Sequence, residues 1–444
     1  MKAPNIATTV LWIASLGSFL SSVTSSIVGV ILPKMASSMG VGIIEIQWVM
    51  LLPLVVISSF LVPFGHAGDT YGHKRIYALG AFLGFLGATG CALAPGLPWL
   101  LLFRGIQGLG ASASMACAPA LISLSVEPLK RGRYLGFTST ALYVGLAAGP
   151  PIGGVLEQYF GYRAVFIVQA IFSLGLFILT IKAMPELQKG KGKLLKIHVL
   201  CSMVFALCIA FLVLAVTSPS LKFAMVALAF LLVFVKTCSQ TSSPFLNPSL
   251  LRQKTTLSAI VGAFLNYCSL FSATFLLPFF LHAQFAMESS AVGAVMAIHP
   301  VAMAIVASPA GALSDRLGSR FLSSLGMFVL SGGLCGLALA SQTPFLVTVF
   351  MFVIGAGTGV FVAPNTNTLL SNVPRNVQGS ASAMLALSRN LGMISGIALS
   401  ATLSHASSTK VPAGDGMRVA WLIGASLALA GALVVLLRNT AKKR

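Results

Sequence analysis

The chain has 444 residues, 57% of them hydrophobic and only 8% charged, with a formal net charge of +20. A soluble domain carries about 25% charged residues, so this composition excludes a water-soluble globular core and points to a chain that mostly faces lipid. The basic excess is spread over short breaks between apolar runs, as membrane topology requires, so no nucleic-acid partner is expected.

The first apolar run follows Met1-Lys2 directly and continues to Leu32 without a small-residue cleavage site, so it reads as a retained first span and not a signal peptide. A run of about 18–25 apolar residues is long enough to cross a bilayer as a helix. Fourteen such runs are expected. Six lie near 10–32, 44–66, 75–94, 97–119, 133–156 and 163–184, and two more near 196–217 and 220–237. The last six lie near 255–281, 289–312, 320–340, 344–369, 379–404 and 417–437. With the N-terminus inside, most Lys and Arg fall on the inner side, among them Lys74, Arg75, Lys130, Arg131, Arg133, Lys189, Lys196, Arg375 and Lys442. That asymmetry predicts a multi-pass protein of the plasma (inner) membrane with both termini cytoplasmic.

The basic stretch Leu187–Lys196 closes a first half, and the segment with Pro244 and Pro248 opens a second. The expected domains are an N-terminal six-helix bundle over 1–187, a basic cytoplasmic linker with two extra spans over 188–243, and a C-terminal six-helix bundle with a cytoplasmic tail over 244–444. The halves are tied by a repeated polar stretch. Gly65-His66-Ala67-Gly68-Asp69-Thr70-Tyr71-Gly72-His73-Lys74-Arg75 sits between the second and third runs. Its counterpart, Gly311 to Arg320 with Asp315 and Gly318, follows 246 residues later (65 to 311). Gly65 and Gly72 are expected to let two helix ends approach closely. Asp69 is expected just before the third span, stabilised by its N-terminus by up to about 1 kcal/mol, with Lys74 and Arg75 pairing either with it or with neighbouring helix C-termini. Gly65, Asp69, Gly72, Lys74, Arg75, Gly311, Asp315, Gly318 and Arg320 are thus the candidate latch between two conformations.

Other residues stand out inside the apolar runs. Arg104 is a cation in the fourth run, with Gln107 one turn on; at mid-membrane it costs about 2.5–3.5 kcal/mol and must find a cavity or a partner. Gly145, Gly149 and Gly153 recur at i, i+4 and i+8, a smooth strip for close helix contact beside Gly154, Pro150 and Pro151. Arg389 lies in the thirteenth run between Ser388 and Asn390. His299, which precedes Pro300 in the tenth, and Glu157, near the outer end of the fifth, are the candidate proton carriers. Gln169, Asn266, Asn365 and Asn367 are further polar groups. The eight acidic residues all fall at span ends or in breaks. The seven Cys form no C-x-x-C pair and read as small buried hydrophobes, so no metal site, disulfide framework or cofactor is expected. The six His are scattered, which speaks against a membrane enzyme, and no ring of charges suggests a channel.

The duplicated stretch resembles the signature loop of the major facilitator superfamily. Arg104-Gly105-Ile106-Gln107-Gly108-Leu109-Gly110 is similar to that family's R-x-x-Q-G-x-G, and the stretch from Gly145 to Gly154 to its exporter motif G-x-x-x-G-P-x-x-G-G. Fourteen runs, Pro244-Phe245-Leu246-Asn247 and Arg389-Asn390-Leu391-Gly392 fit the branch of drug:proton antiporters with two extra central helices. The resemblance implies an all-α major facilitator fold, alternating access around a central cavity, a proton-coupling role for Arg104 and an outer seal at Gly145, Gly149, Pro150, Gly153 and Gly154. That branch carries an Asp in its first span where this chain has Thr24, and a Tyr in its second where this chain has Pro53. A cavity with Arg104 and Arg389 but no acid is electropositive and favours neutral or anionic amphiphiles. The expected function is a monomeric secondary transporter in the lipid bilayer that exports such small molecules, with protons as a coupling partner. A proton-uncoupled facilitator or a lipid and amphiphile transporter of the same fold is the alternative.

Overall fold

A computed structural model describes residues 6–127, 130–187, 196–218, 220–239, 253–373, 378–408 and 415–437. Among them no strand occurs. In hydrocarbon every backbone N–H and C=O must be bonded within its own segment, and the helix does this. The first group of helices is α1 (Ile6–Met39), the short α2 (Ile43–Ile46), α3 (Trp48–Tyr71), α4 (His73–Leu93), α5 (Leu97–Ser125), α6 (Arg131–Phe160) and α7 (Tyr162–Ala183). Then come α8 (Lys196–Thr217) and α9 (Leu221–Ser239). The last group is α10 (Lys254–Phe285), α11 (Ser289–Leu317), α12 (Ser319–Ala340), α13 (Pro344–Ser371), α14 (Gln378–Ser408) and α15 (Asp415–Leu436). Pro244 to Asn247, most of the basic stretch Leu187–Lys196, Arg375 and the tail from Arg438 lie outside the described residues.

Thirteen helical spans among the described residues, α2 and α3 together making one, are long and apolar enough to cross a membrane. The remaining expected run is α9, whose 19 residues span about 28 Å at 1.5 Å per residue, near the thickness of the hydrocarbon core. α8 and α9 pair through aromatics, Phe205 tilted against Phe234 at 4.8 Å and Phe211 stacked on Phe230 at 5.6 Å.

The chain divides into two compact units, Met1–Ala215 with Ser220–Ser242, and Val216–Pro219 with Ser243–Arg444. The pairing of helices is the same in each. In the first, α1 packs on α6, α3 on α5, and α4 on both α5 and α7. In the second, α10 packs on α14, α11 on α13, and α12 on both α13 and α15. Glycines set the closest crossings in both. A Cβ on Gly80 would stand 2.8 Å from the Gly110 carbonyl oxygen, and one on Gly326 would stand 2.7 Å from that of Gly357. Without a hydrophobic drive between helices in lipid, such close approach gives the van der Waals contact that holds a bundle. The second unit buries Trp421 edge-on to Phe280 at 5.0 Å. In the first, Tyr77 is buried and donates its hydroxyl to the Ile13 carbonyl at 3.2 Å. Five of the seven cysteines are buried and unbridged, as small hydrophobes are, and Cys335 is half-buried.

Candidate functional site

The repeated polar stretch is not a loop. α3 runs on to Tyr71 and α4 starts at His73, so Gly72 alone joins them. Its counterpart Gly318 alone joins α11 to α12. The two glycines share a conformation, φ 98 and ψ 129 at Gly72 and φ 87 and ψ 135 at Gly318, a region that only glycine enters without strain. The surrounding bonds repeat as well: Gly72 N–H donates to Gly68 O at 2.9 Å and Gly318 N–H to Ser314 O at 3.0 Å.

Three expectations for this stretch are corrected. Asp69 lies in the last turn of α3 and not ahead of α4, so it gains nothing as an N-cap. Its partner is neither Lys74 nor Arg75 but the buried His73, whose Nε2 stands 3.1 Å from Oδ1, while Arg75 reaches the exposed Glu186 at 3.5 Å. Gly65 faces open space and Gly311 meets only Ala363 at ordinary contact, so neither is a close-approach glycine; Gly68 is, facing His73 and Cys117. His73 was legible in principle as a titratable side chain one turn from Asp69. At the second copy, Asp315 holds the equivalent backbone position in the last turn of α11, Ser319 replaces His73 and its hydroxyl accepts from Thr368 Oγ1 at 2.7 Å, and Arg320 opens α12.

The structure brings Arg104, Gln107 and Gln169 together inside the first unit. Arg104 is 4% exposed. Its Nε donates to the Val49 carbonyl at 2.8 Å and its Nη1 to Gln107 Oε1 at 2.7 Å. Gln107 Nε2 then donates to Gln169 Oε1 at 3.2 Å. Because a guanidinium only donates, it fixes the orientation of each amide after it. The Val49 carbonyl has a reason to be available. In a helix it would accept from the residue four on, which is Pro53, and proline has no N–H. Pro53 and Arg104 are therefore one device, with Gly108 letting α5 close on Pro53 at 3.0 Å from its would-be Cβ. No carboxylate takes part.

Arg389 is placed differently. It is half-buried in α14, its Nη2 donates to Thr366 Oγ1 at 2.8 Å on α13, and its guanidinium carbon lies 5.7 Å from the centre of the Tyr267 ring on α10. Nothing in the sequence marked Tyr267 or Thr366. His299 on α11 is half-buried, and its Nε2 is enclosed with no hydrogen-bond partner. Thr24 is half-buried on α1. Asn266 Nδ2 approaches the Met327 sulfur at 3.2 Å, Asn365 Nδ2 donates to the Ala259 carbonyl at 2.9 Å, and Asn367 is exposed. The strip of Gly145, Gly149 and Gly153 packs on α1 against Phe19, Ser26 and Ile27, with Pro150 and Gly154 buried beside it in an unbroken α6. The acidic residues in described helices stand in the short α2, in the last turns of α3, α6 and α11, or at the start of α15. No His, Cys, Asp and Glu cluster among the described residues has the makings of a metal site.

Comparison with known proteins gives one family. The Major Facilitator Superfamily model matches residues 14–233 and 259–444. The riboflavin transporter RibZ of Clostridioides difficile is 29% identical over 88% of this chain and 86% of its own length. The multidrug resistance protein Stp of Mycobacterium tuberculosis is 27% identical over 86% of this chain and 73% of its own. A crystal structure of a peptide transporter in complex with sulfate superposes with a TM-score of 0.74 at 13% identity, over 96% of this chain and 93% of that one.

Proposed function

Because the chain belongs to the Major Facilitator Superfamily and is a multi-pass membrane transporter, not an enzyme, we propose that it exports hydrophobic neutral or anionic small molecules across the plasma membrane by alternating access. The observation that carries this reading is one of charge. Two guanidiniums, Arg104 and Arg389, lie within spanning helices, neither with a carboxylate partner, and the acids of the described helices stand at helix ends. A low-dielectric interior with unneutralised cations repels an organic cation and attracts an anion. Relatives named for riboflavin and for multidrug resistance support an organic substrate. We place both termini in the cytoplasm and read the working unit as a monomer.

The two glycine hinges and the Asp69–His73 pair serve in this reading as the latch that helix ends make and break between conformations. Proton antiport would run through His299, the half-buried imidazole with a free Nε2. The missing carboxylate favours a second reading, a proton-uncoupled facilitator or lipid and amphiphile transporter of the same fold. Flux into proteoliposomes of neutral, anionic and cationic amphiphiles, with and without an imposed pH gradient, separates the two. Export predicts movement of the neutral and anionic compounds and none of methyl viologen, a permanent dication. A gradient that accelerates flux in the wild type and not in His299→Ala supports antiport; indifference to the gradient supports the uncoupled reading. Movement of the dication alone overturns both.

A further inference from the structure

The two intramembrane arginines differ in what they have left to offer. Arg104 is sealed and committed, to a backbone carbonyl freed by Pro53 and to Gln107. Arg389 is half-exposed, and its five N–H donors have a single protein acceptor, Thr366 Oγ1. That hydroxyl spends its own proton on the Val362 carbonyl at 2.8 Å, so its oxygen is free to accept and pins one corner of the guanidinium. Arg389 Nε is enclosed with no acceptor at all. None of the ion pairs among the described residues involves Arg389.

Beside this unspent charge lies an aromatic wall. Tyr267 flanks the guanidinium at 5.7 Å, and Phe271, one turn along α10, stacks on Tyr267 at 6.5 Å and 26°. Both rings are half-buried. The neighbouring Ser388 hydroxyl donates to the Ile260 carbonyl at 2.7 Å and ties α14 to α10 at this level, so charge and rings are held on rigid elements.

We propose that Arg389, Thr366, Tyr267 and Phe271 form a docking site for a planar aromatic anion. The anionic group takes the Nη donors left unpaired, a charge-assisted contact with fork geometry, and the ring lies against Tyr267 and Phe271. This rests on the reading of the chain as a transporter of organic anions and narrows it to aromatic ones. Neither part suffices alone: a guanidinium without rings would take any anion, and rings without the charge any apolar compound.

The test is binding of tritiated naphthalene-1-sulfonate to the purified full-length protein by scintillation proximity, with naphthalen-1-ylmethanol and cyclohexanesulfonate as competitors. The wild type is expected to bind saturably, and both competitors to be weaker. Arg389→Gln should weaken binding about tenfold or more, since a charge-assisted contact in a low-dielectric site is lost. Tyr267→Leu should weaken naphthalenesulfonate and leave cyclohexanesulfonate unchanged, whereas Tyr267→Phe should stay within about twofold because the ring remains. Should Arg389→Gln fail to elute like the wild type, Arg389→Lys keeps the charge and loses the fork, and should bind several-fold more weakly. Absence of saturable binding by the wild type overturns the site, as does wild-type affinity in well-folded Arg389→Gln or Arg389→Lys and in Tyr267→Leu. Saturable binding with these losses, in a protein whose vesicles move no organic anion, supports the site and sinks the transport reading alone.

Discussion

The two units are built on one plan and equipped differently. Helix pairing, the one-residue glycine hinge and the glycine crossing recur: Gly72 with Gly318, and Gly80 against Gly110 with Gly326 against Gly357. The polar chemistry does not recur. Pro53 and Arg104 of the first unit correspond, by position in the repeat, to His299 and the apolar Met351 of the second. The second unit has its own cation, Arg389, set among rings and half-exposed. What recurs is the helix packing, which depends on backbone shape; what differs is the polar side chains. One unit holds a cation inside itself and the other presents one.

That contrast yields effects of graded size. The largest belong to the shared plan. Gly149→Leu and Gly396→Leu would drive side chains into α1 and α10, where even a Cβ meets Ser26 and the Cys268 carbonyl. Both should lose most monodisperse protein on size-exclusion chromatography, and a loss in one alone would break the equivalence of the units. Next comes the difference between the arginines. Arg104→Ala orphans the Val49 carbonyl and the Gln107 amide and should cost about 1–3 kcal/mol, read as a lower Tm. Arg389→Ala should leave Tm nearly unchanged and weaken organic-anion flux instead. Equal Tm losses would erase the distinction between a sealed cation and a presented one.

Gly72→Ala and Gly318→Ala should each cost about 1–3 kcal/mol of backbone strain and slow flux alike, which thermal unfolding and initial rates would check. Asp69→Asn is the smallest in stability and the sharpest in function. Its pair with His73 is mostly exposed on the Asp side, so Tm should move by less than about 1 kcal/mol equivalent, while flux falls several-fold if the pair is a latch. Unchanged flux would leave it an ordinary surface ion pair.

Much of the fold was legible because lipid simplifies the code. Any long run without charges must be a helix, and a polar stretch repeated at fixed spacing must mark duplicated halves. Where the sequence misled, the cause was local. Gly65 to Arg75 is polar enough to read as a loop, yet a single glycine turns the chain and both helices run on to meet at it. Side-chain partnership was the least legible part. Arg104 was marked by its charge, but its acceptor came from the missing N–H of Pro53, a residue noted only for being unlike the related branch. Tyr267 and Thr366 carried no signal, since an aromatic and a hydroxyl on apolar helices are ordinary until three helices bring them to one guanidinium.

The two intramembrane arginines bear most directly on the sign of charge that the protein accepts. The direct measurement is the ratio of wild-type proteoliposome fluxes for two naphthalenes of matched shape, naphthalene-1-sulfonate and (naphthalen-1-ylmethyl)trimethylammonium. Spanning helices that carry two arginines and, among the described residues, acids only at helix ends predict that the sulfonate moves at least about ten times faster, the factor that 1.4 kcal/mol of charge preference produces. Equal fluxes, or a faster ammonium, would contradict it.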